Sequence, residues 1–361
     1  MLVRRFWLTD FRSHAQADVV LAPGLTAILG ANGEGKTNLL EALGWLATMA
    51  SFRGAPTEAL IRRDCHSAVV RAEGERDGRA LLVEAELVAG GRSRVQVNRQ
   101  RLARARDLLG ALRVSVFAPD DLALVKGGPA ERRRLLDDAL VATHPRHDAT
   151  RTEVDRVVRQ RNALLRQSGG RLDESAAFTL DVWDAKLAAA GAALAAARED
   201  LVRTLAPALA SSYAAVAAPT VAAVDLAYRR SWADDSLAAA LARSRRDDVR
   251  RGTTMIGPHR DELTLELGGM AARTHASQGE QRSLALALRL AVHGVVTAAT
   301  GTTPVLLLDD VFSELDPARS DALLAHLPPG QTVLTSASGL PSGARPERVL
   351  EISGAIVREC R

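Results

Sequence analysis

The segment "GANGEGKT", residues 30–37, constrains the fold of this 361-residue chain more than any other. It matches the pattern G-x-x-x-x-G-K-[ST] and follows "LTAILG", an apolar run typical of a strand. A loop of this pattern wraps backbone N–H groups around phosphates, so it predicts a bound nucleotide. The predicted phosphate-binding residues are Gly30, Ala31, Asn32, Gly33, Glu34, Gly35, Lys36 and Thr37.

Lysine usage supports this interpretation. The chain has 47 basic residues, of which only Lys36, Lys126 and Lys186 are lysines. A compact ammonium group reaches the outer phosphates of a nucleotide, where the broad planar fork of arginine would not fit. We therefore predict that Lys36 contacts these phosphates and acts in catalysis, and that the Thr37 hydroxyl binds Mg²⁺.

A second segment, "PVLLLDDVFSELD", completes the predicted site. Its four apolar residues, 305–308, are typical of a strand buried on both faces, and Asp309 and Asp310 follow them. Carboxylates at the end of a parallel strand lie beside the phosphate loop in an open α/β sheet. Asp309 is predicted to hold Mg²⁺, and Asp310 to orient or deprotonate the water that attacks ATP.

The segment "SQGEQRSLALAL" predicts a helix whose first turn faces an anion. Ser277 and Glu280 have the S-x-x-E spacing of a capping box. The free N–H groups of the first turn suit a phosphate, and Gly279 keeps the approach open, although an ordinary capped helix has the same pattern. Leucines alternate over residues 284–290 as in a strand, but the alanines between them and the preceding cap favour a buried helix.

The composition is that of a globular chain with two domains or lobes, at 47% hydrophobic and 25% charged residues. Cys65 and Cys360 lie far apart, which indicates neither a disulfide framework nor a metal cluster and fits a reducing cytoplasm. No signal peptide or membrane span is predicted. The net charge of +4 permits a nucleic-acid partner without requiring one.

Periodicity divides the chain into three stretches. Residues 1–120 alternate short strands with turns, including a hairpin at the Gly-Gly turn of residues 90–91. Residues 121–284 shift to alanine, leucine and arginine at helical spacing, and residues 285–361 return to strands. We therefore predict an α/β fold with a mixed sheet: an ATPase lobe formed by 1–120 and 285–361, and a mainly helical second lobe, 121–284, without a long coiled coil.

Four motifs, "DFRSH", the phosphate loop, "SQGEQ" and "SELD", resemble the head domains of ABC and SMC ATPases. The blocks "VFAPDDLALVKGGPAERRRLLD", "RVVRQRNALL", "LDVWDAKLAAAGA" and "IGPHRDEL" narrow the resemblance to the RecF family of bacterial recombination mediators. The resemblance implies that Arg12 lies at the nucleotide. It also implies that Ser277, Gly279 and Glu280 bind the outer phosphate of a nucleotide held by a second copy of the chain.

The same resemblance implies a function. It implies a cytoplasmic, ATP-dependent homodimer that binds gapped DNA or single-strand/duplex junctions and acts with a RecR-type partner. Such a protein helps to load recombinase in recombinational repair, replication restart and the SOS response, and a weak DNA-dependent ATPase activity acts as a timer. Two alternatives stay open, namely an ABC transporter-type ATPase subunit and a non-hydrolysing, ATP-gated scaffold.

The sequence departs from ABC transporter ATPases at three points. Asp310 stands where they usually have glutamate, Thr335 or Ser336 occupies the histidine switch region, and no counterpart of the glutamine loop is recognisable. Aspartate is one methylene shorter than glutamate, so it predicts slow hydrolysis. The stretch of about 240 residues between the phosphate loop and "SQGEQ" is too short for the coiled coil of an SMC protein.

The residues that would contact DNA are less well defined. One arginine cluster comprises Arg99, Arg101, Arg104 and Arg106, and a second spans residues 132–134. Either cluster can neutralise phosphates or form a solvated surface. Aromatic residues make up only 3% of the chain, which favours the duplex backbone or a junction over unpaired bases. In "IGPHRDEL", His259 and Arg260 can face the nucleotide or the partner subunit, or His259 can play a structural role.

Substitution of the phosphate-loop lysine tests the first prediction. Lys36→Ala should remove most ATP affinity, and with it nucleotide-dependent dimerisation, while leaving the fold intact, because the outer phosphates lose their cation. ATP affinity is measured by equilibrium binding. Binding at the parent affinity would refute the assignment.

Overall fold

The computed structural model describes residues 1–217, 222–233 and 236–360, which form two compact units. The first unit comprises the described residues of 1–122, 211–221 and 277–361, and the second those of 123–210 and 222–276. The predicted boundary after residue 284 differs from the division found at 276/277, because one continuous helix crosses residue 284.

The strands lie in three sheets. They are β1 (Leu2–Phe11), β2 (His14–Val20), β3 (Leu25–Leu29), β4 (Ser67–Arg76), β5 (Arg79–Val88), β6 (Arg94–Val97), β7 (Gln100–Arg101), β8 (Val114–Phe117), β9 (Val224–Arg229), β10 (Glu262–Leu267), β11 (Met270–Ala271), β12 (Val305–Asp309), β13 (Thr332–Ser336), β14 (Arg348–Ser353) and β15 (Ile356–Glu359). The helices are α1 (Lys36–Thr48), α2 (Thr57–Leu60), α3 (Ala123–Lys126), α4 (Pro129–Thr143), α5 (His147–Gln167), α6 (Glu174–Val216), α7 (Leu237–Arg251), α8 (Ala272–His275), α9 (Gln278–Thr300) and α10 (Pro317–Ala325).

Two six-stranded sheets build the first unit. One is antiparallel, in the order β2-β1-β4-β5-β6-β7, and includes the predicted hairpin as β5 and β6. The other has the order β15-β14-β3-β13-β12-β8, in which β14, β3, β13, β12 and β8 run parallel and β15 is antiparallel. Since parallel strands end at the same edge, the residues after β3, β12 and β13 come together.

Helix α1 joins these two sheets. Its apolar side chains, including Leu39, Leu43 and Leu46, are fully buried in one cluster with Phe6 of the antiparallel sheet and Ile28 of the parallel sheet. Burial on both sides fixes the direction of α1, whose first residue is Lys36. The core of the unit therefore aims the phosphate loop.

Helix α9 begins where the sequence predicted. Ser277 is its N-cap, and the capping box with Glu280 is formed. The leucines of residues 284–290 are buried within the helix, which confirms the helix over the strand. By length and composition α9 is the one described helix that could span a membrane. However, 61% of its apolar 18-residue stretch is buried within the structure, as in a core helix.

The second unit is mainly helical, with the small sheet β11-β10-β9. The predicted helical spacing around residues 154–165 falls on α5. The fully buried guanidinium of Arg161 pairs with Asp184 at 2.6 Å and with Asp248 at 2.7 Å. Arg132 of the second predicted cluster is also buried, where it pairs with Glu262 at 2.9 Å and donates to backbone carbonyls of 124 and 127. Arg132 thus has a structural role.

Candidate nucleotide site

The phosphate loop lies between β3 and α1. Its glycines at 33 and 35 have φ of 89° and 101°, in the left-handed region that favours glycine. Residues 31–33 form the exposed crest of the loop, whereas Lys36 is only 6% exposed. The Lys36 Nζ donates hydrogen bonds to the carbonyl oxygens of Gly30 at 2.7 Å and Ala31 at 2.9 Å. The ammonium group therefore lies within the curve of the loop.

His14 supports the loop from behind and was not predicted. Its buried ring lies between two carbonyl oxygens, with Nε2 at 3.1 Å from that of Gly35 and Nδ1 at 3.1 Å from that of Ala355. A β-carbon on Gly35 would come within 2.8 Å of His14 Nε2, so this position requires glycine. The Glu34 carboxylate accepts a hydrogen bond from the backbone N–H of Gly354. The loop is thus fixed to the β14–β15 turn.

The acidic strand meets the loop at its threonine. Strand β12 is buried along its whole length, and Asp309 is 4% exposed. The Asp309 Oδ1 accepts hydrogen bonds from Thr37 Oγ1 at 2.9 Å and from Thr335 Oγ1 at 2.8 Å. Burial raises the pKa of the Asp309 carboxyl, and the hydrogen bonds from the two threonines oppose this rise.

Mg²⁺ fits this pair of side chains. The hydroxyl of Thr37 and the carboxylate of Asp309 are hard oxygen donors that already lie within hydrogen-bond distance of each other. No cluster of three or more His, Cys, Asp or Glu residues with metal-binding geometry occurs in the described ranges. A site with one carboxylate and one hydroxyl suits Mg²⁺, which usually takes its other ligands from nucleotide phosphates and water.

Asp310 is held in an unusual backbone conformation. Its φ of 48° lies in the left-handed region, which is uncommon for residues other than glycine. Its N–H lies 3.0 Å from Thr335 Oγ1 and 3.2 Å from the Thr335 carbonyl oxygen. Of the two candidates for the switch region, Thr335 therefore contacts both aspartates, whereas the Ser336 hydroxyl donates to the Gly339 carbonyl.

Arg12 is committed to an ion pair. Its guanidinium donates two hydrogen bonds of 2.8 Å to Glu41, a fully buried carboxylate on α1 that also accepts from Ser51. The side chain of Arg12 is 19% exposed. Arg53 lies 3.8 Å from the same carboxylate, and its charge favours the ionised form of Asp309. Arg12 thus braces the helix that carries Lys36, and its contact with the nucleotide remains a prediction.

The predicted signature segment makes no polar contact with the phosphate loop. Within the part of the chain that the structure describes, no hydrogen bond or ion pair links residues 277–280 to residues 30–37. The open approach predicted at Gly279 is wrong, because Arg319, which was not predicted, covers this glycine: a β-carbon on Gly279 would come within 2.9 Å of its Nη2. The Arg319 Nε donates to Ser283 Oγ at 3.1 Å, and the same guanidinium pairs with Asp316 of the "SELD" motif. Arg319 therefore joins the two motifs.

The sequence has no recognisable glutamine loop, and the segment after β8 lies at the same edge of the parallel sheet as the site. Strand β8 runs parallel to β12, so residues 118–121 follow it at the same edge as Asp309. Asp121 forms an ion pair of 2.5 Å with Arg289 of α9. This segment links the edge of the sheet to the signature helix without a glutamine side chain.

The fold and the site together define a nucleotide-binding ATPase head of the ABC and SMC type. Residues 2–332 match the family profile described as the RecF/RecN/SMC N terminal domain. The chain is 45% identical over 354 residues to the DNA replication and repair protein RecF of Streptomyces avermitilis, covering 94% of each chain.

Two solved structures of the recombination mediator protein RecF in the RecFOR pathway are also similar. RecF-ATPrS has a TM-score of 0.91 at 26% identity, with 100% of this chain and 98% of that chain covered. RecF-ATP has a TM-score of 0.90 at 26% identity, with 99% and 97% covered. The chain belongs to the RecF family of DNA replication and repair proteins, and the predicted family, fold class and general function are confirmed.

The shared threonine contact generates a prediction. Thr335→Val removes the hydroxyl that orients both aspartates, so the Mg²⁺ concentration needed for half-maximal ATP binding should rise about tenfold or more. Thr332→Val is the matched control: Thr332 is buried on the same strand, and its side chain forms no hydrogen bond with a described residue. The measurement is an Mg²⁺ titration of ATP binding. An equal requirement in both variants would contradict the role given to Thr335.

Proposed function

We propose that the chain is an ATP-gated DNA clamp. ATP with Mg²⁺ binds at the phosphate loop, two copies close around the nucleotides, and the dimer holds gapped DNA or a single-strand/duplex junction until ATP is hydrolysed. The observation that supports this proposal most strongly is the hydrogen bond of 2.9 Å between Thr37 and Asp309, a loop hydroxyl and a strand carboxylate that together suit Mg²⁺. The relatives support the nucleotide, since one solved RecF structure is RecF-ATP.

The signature helix favours a dimer. Two of the described helices have N-termini suited to phosphate, namely α1 in the loop and α9 behind Ser277. Since residues 277–280 make no polar contact with the loop of their own chain among the described residues, α9 offers its N-terminus to the nucleotide of a partner. In a two-fold dimer, each site combines Lys36 of one chain with Ser277 and Gly279 of the other.

Hydrolysis acts as a timer in this proposal. Asp310 follows the Mg²⁺ ligand and orients the attacking water, while Lys36 neutralises charge on the outer phosphate. The shorter side chain of aspartate positions water less well than glutamate, which gives slow turnover. Mg²⁺ supplies charge neutralisation when bound. Slow turnover prolongs the closed state, so that the protein is a weak, DNA-dependent ATPase.

The proposed DNA and protein partners are based on the family assignment. The relatives are recombination mediators of the RecFOR pathway, so we assign to the chain a RecR-type partner, a cytoplasmic location and a role in loading recombinase during repair, replication restart and the SOS response. An ABC transporter-type subunit would instead associate with a membrane protein and ignore DNA. A non-hydrolysing scaffold would dimerise on ATP without releasing phosphate. DNA binding and phosphate release distinguish these alternatives.

The carboxamide variant of the second aspartate tests the timer. Asp310→Asn should keep ATP binding but slow hydrolysis, because the residue that receives the proton of the attacking water is lost. The ATP-bound dimer and its DNA complex should then last longer, as measured by phosphate release and by dissociation kinetics. Asp64→Asn is the matched control, since Asp64 is exposed and also has a left-handed φ, of 66°. Hydrolysis at the parent rate in Asp310→Asn would remove Asp310 from the mechanism.

Blocking the signature helix tests the composite site. Ser277→Arg should fill the phosphate position and prevent closure of the dimer, yet leave ATP binding by the monomer intact. Ser236→Arg is the control, because Ser236 caps α7 in the second unit with the same type of hydrogen bond. Sedimentation with ATP measures dimerisation. Normal dimerisation of Ser277→Arg with ATP bound would contradict the proposal.

Mixing Ser277→Arg with Lys36→Ala tests the two-fold geometry further. Their heterodimer has one doubly altered site and one unaltered site. Random pairing makes half of the dimers heterodimers, so independent sites would recover about a quarter of the parent ATPase activity. If closure needs both nucleotides, recovery is near zero. Dimerisation of Ser277→Arg alone therefore remains the deciding test.

A further inference from the structure

The free edge of the antiparallel sheet carries arginines that the nucleotide site does not use. Residues 98–107, "NRQRLARARD", contain four exposed arginines, and we call this segment the arginine edge. Arg104 pairs with Asp107 at 3.2 Å. Arg99, Arg101 and Arg106 form no ion pair or side-chain hydrogen bond with any residue of 1–217, 222–233 or 236–360. The arginine edge is therefore a concentration of unneutralised positive charge.

Elsewhere on the same face of the antiparallel sheet, the arginines are paired with carboxylates. Register places Glu84 opposite Gln96, and Gln96 opposite Arg101, so these residues share one face. On that face Arg71 pairs with Glu84 at 3.0 Å, and in the neighbouring row Arg94 pairs with Glu86 at 3.1 Å. On this face Arg71 and Arg94 are thus neutralised by ion pairs, whereas Arg101 of the edge strand is not neutralised by any described residue.

Arg99 occupies a backbone position that favours glycine. The β6–β7 hairpin turns through Asn98 and Arg99, whose φ values are 50° and 66°. Two-residue turns with positive φ at both positions favour Asn-Gly or Asp-Gly. The neighbouring β4–β5 hairpin follows this preference with Asp77 and Gly78, at φ of 52° and 73°. A long cationic side chain at the corresponding position of β6–β7 costs backbone strain, which points to a role outside folding.

The turn is held firmly in place. The backbone N–H of Asn98 donates to the Leu82 carbonyl at 2.8 Å, and its side-chain oxygen accepts from the Leu82 N–H at 2.8 Å. The Asn98 amide also donates to the Ala80 carbonyl at 3.4 Å. These bonds fix the backbone of the turn against β5, while the guanidinium of Arg99 stays in solvent. Its contact with a ligand therefore needs little ordering of the chain.

We propose that the arginine edge binds the phosphate backbone of duplex DNA. This inference rests on the proposed DNA-binding function and gives it a location. Guanidinium groups match phosphate oxygens with paired hydrogen bonds, and such contacts carry no base sequence. Arg99 in the turn and Arg101 in β7 are two positions apart, so both guanidinium groups are available to phosphates of one strand.

The composition of the edge favours duplex DNA over other partners. It contains no aromatic side chain on which unpaired bases could stack. The largest apolar side chain of the segment, Leu102, packs against the core, and so does Leu108 just after the segment. The segment thus lacks the exposed apolar anchors on which protein interfaces depend. Phosphate recognition is the chemistry that its exposed groups can perform.

A triple variant tests this surface in the full chain. Arg99→Gly/Arg101→Ala/Arg106→Ala removes three cations, and its affinity for a labelled duplex of mixed sequence is measured with ATP and Mg²⁺ over a range of salt concentrations. The slope of log affinity against log salt should fall by about 2.7 in magnitude, at about 0.9 for each phosphate contact. At 0.1 M salt this corresponds to about an eightfold loss per contact. Arg63→Ala, which removes a 95% exposed side chain of the same unit, should keep the parent slope.

The single variant Arg99→Gly separates DNA binding from folding. Its melting temperature should equal or exceed that of the parent, because glycine relieves the turn, while its duplex affinity falls. ATP binding should stay at the parent level in both variants. If the triple variant binds duplex DNA as tightly as the parent, the arginine edge is not the DNA-binding surface, and the proposed function is unaffected. If the parent protein binds no DNA, both the proposed function and the role of the arginine edge are refuted. Loss of an acidic protein partner with unchanged duplex affinity would also overturn the DNA assignment.

Discussion

The nucleotide site depends on one carboxylate oxygen. Asp309 Oδ1 accepts hydrogen bonds from Thr37 and Thr335, and so links the carboxyl ends of β12 and β13 to the start of α1, which follows β3. Thr335 extends the link to the backbone of Asp310. Because all three strands end at the same edge, one buried group sets the positions of the phosphate loop, a candidate Mg²⁺ ligand and a candidate base for water.

The phosphate loop and the signature motif are held by different helices. Helix α1 lies between the sheets and aims the loop, with Arg12 and Glu41 bracing it from outside the phosphate-binding residues. Helix α9 has its own capped N-terminus, and Arg319 ties it to the "SELD" motif rather than to the loop. One part of the site is complete within a chain, whereas the other faces outward. This arrangement supports the proposal that ATP links two copies.

Local patterns in the sequence predicted the parts of the site that are encoded locally. The phosphate loop, the buried acidic strand and the Ser277 capping box each depend on residues within one short segment, so their spacing reveals them. The supports of the site are not local. His14 contacts Ala355 across 341 positions, and Arg319 reaches Ser283 across 36. No periodicity encodes such contacts. The pairing of Arg12 with Glu41 was missed for the same reason, and the lobe boundary was placed inside α9 because composition changes gradually there.

Whether ATP joins two copies of the chain can be measured by sedimentation velocity of the parent protein. At one protein concentration, the chain is compared without nucleotide, with ADP and with ATP plus Mg²⁺, while ATP binding is confirmed on the same samples. We expect a species of 38.4 kDa without nucleotide or with ADP, and a dimer of twice that mass with ATP. A monomer that remains at 38.4 kDa when saturated with ATP and Mg²⁺ would contradict this expectation.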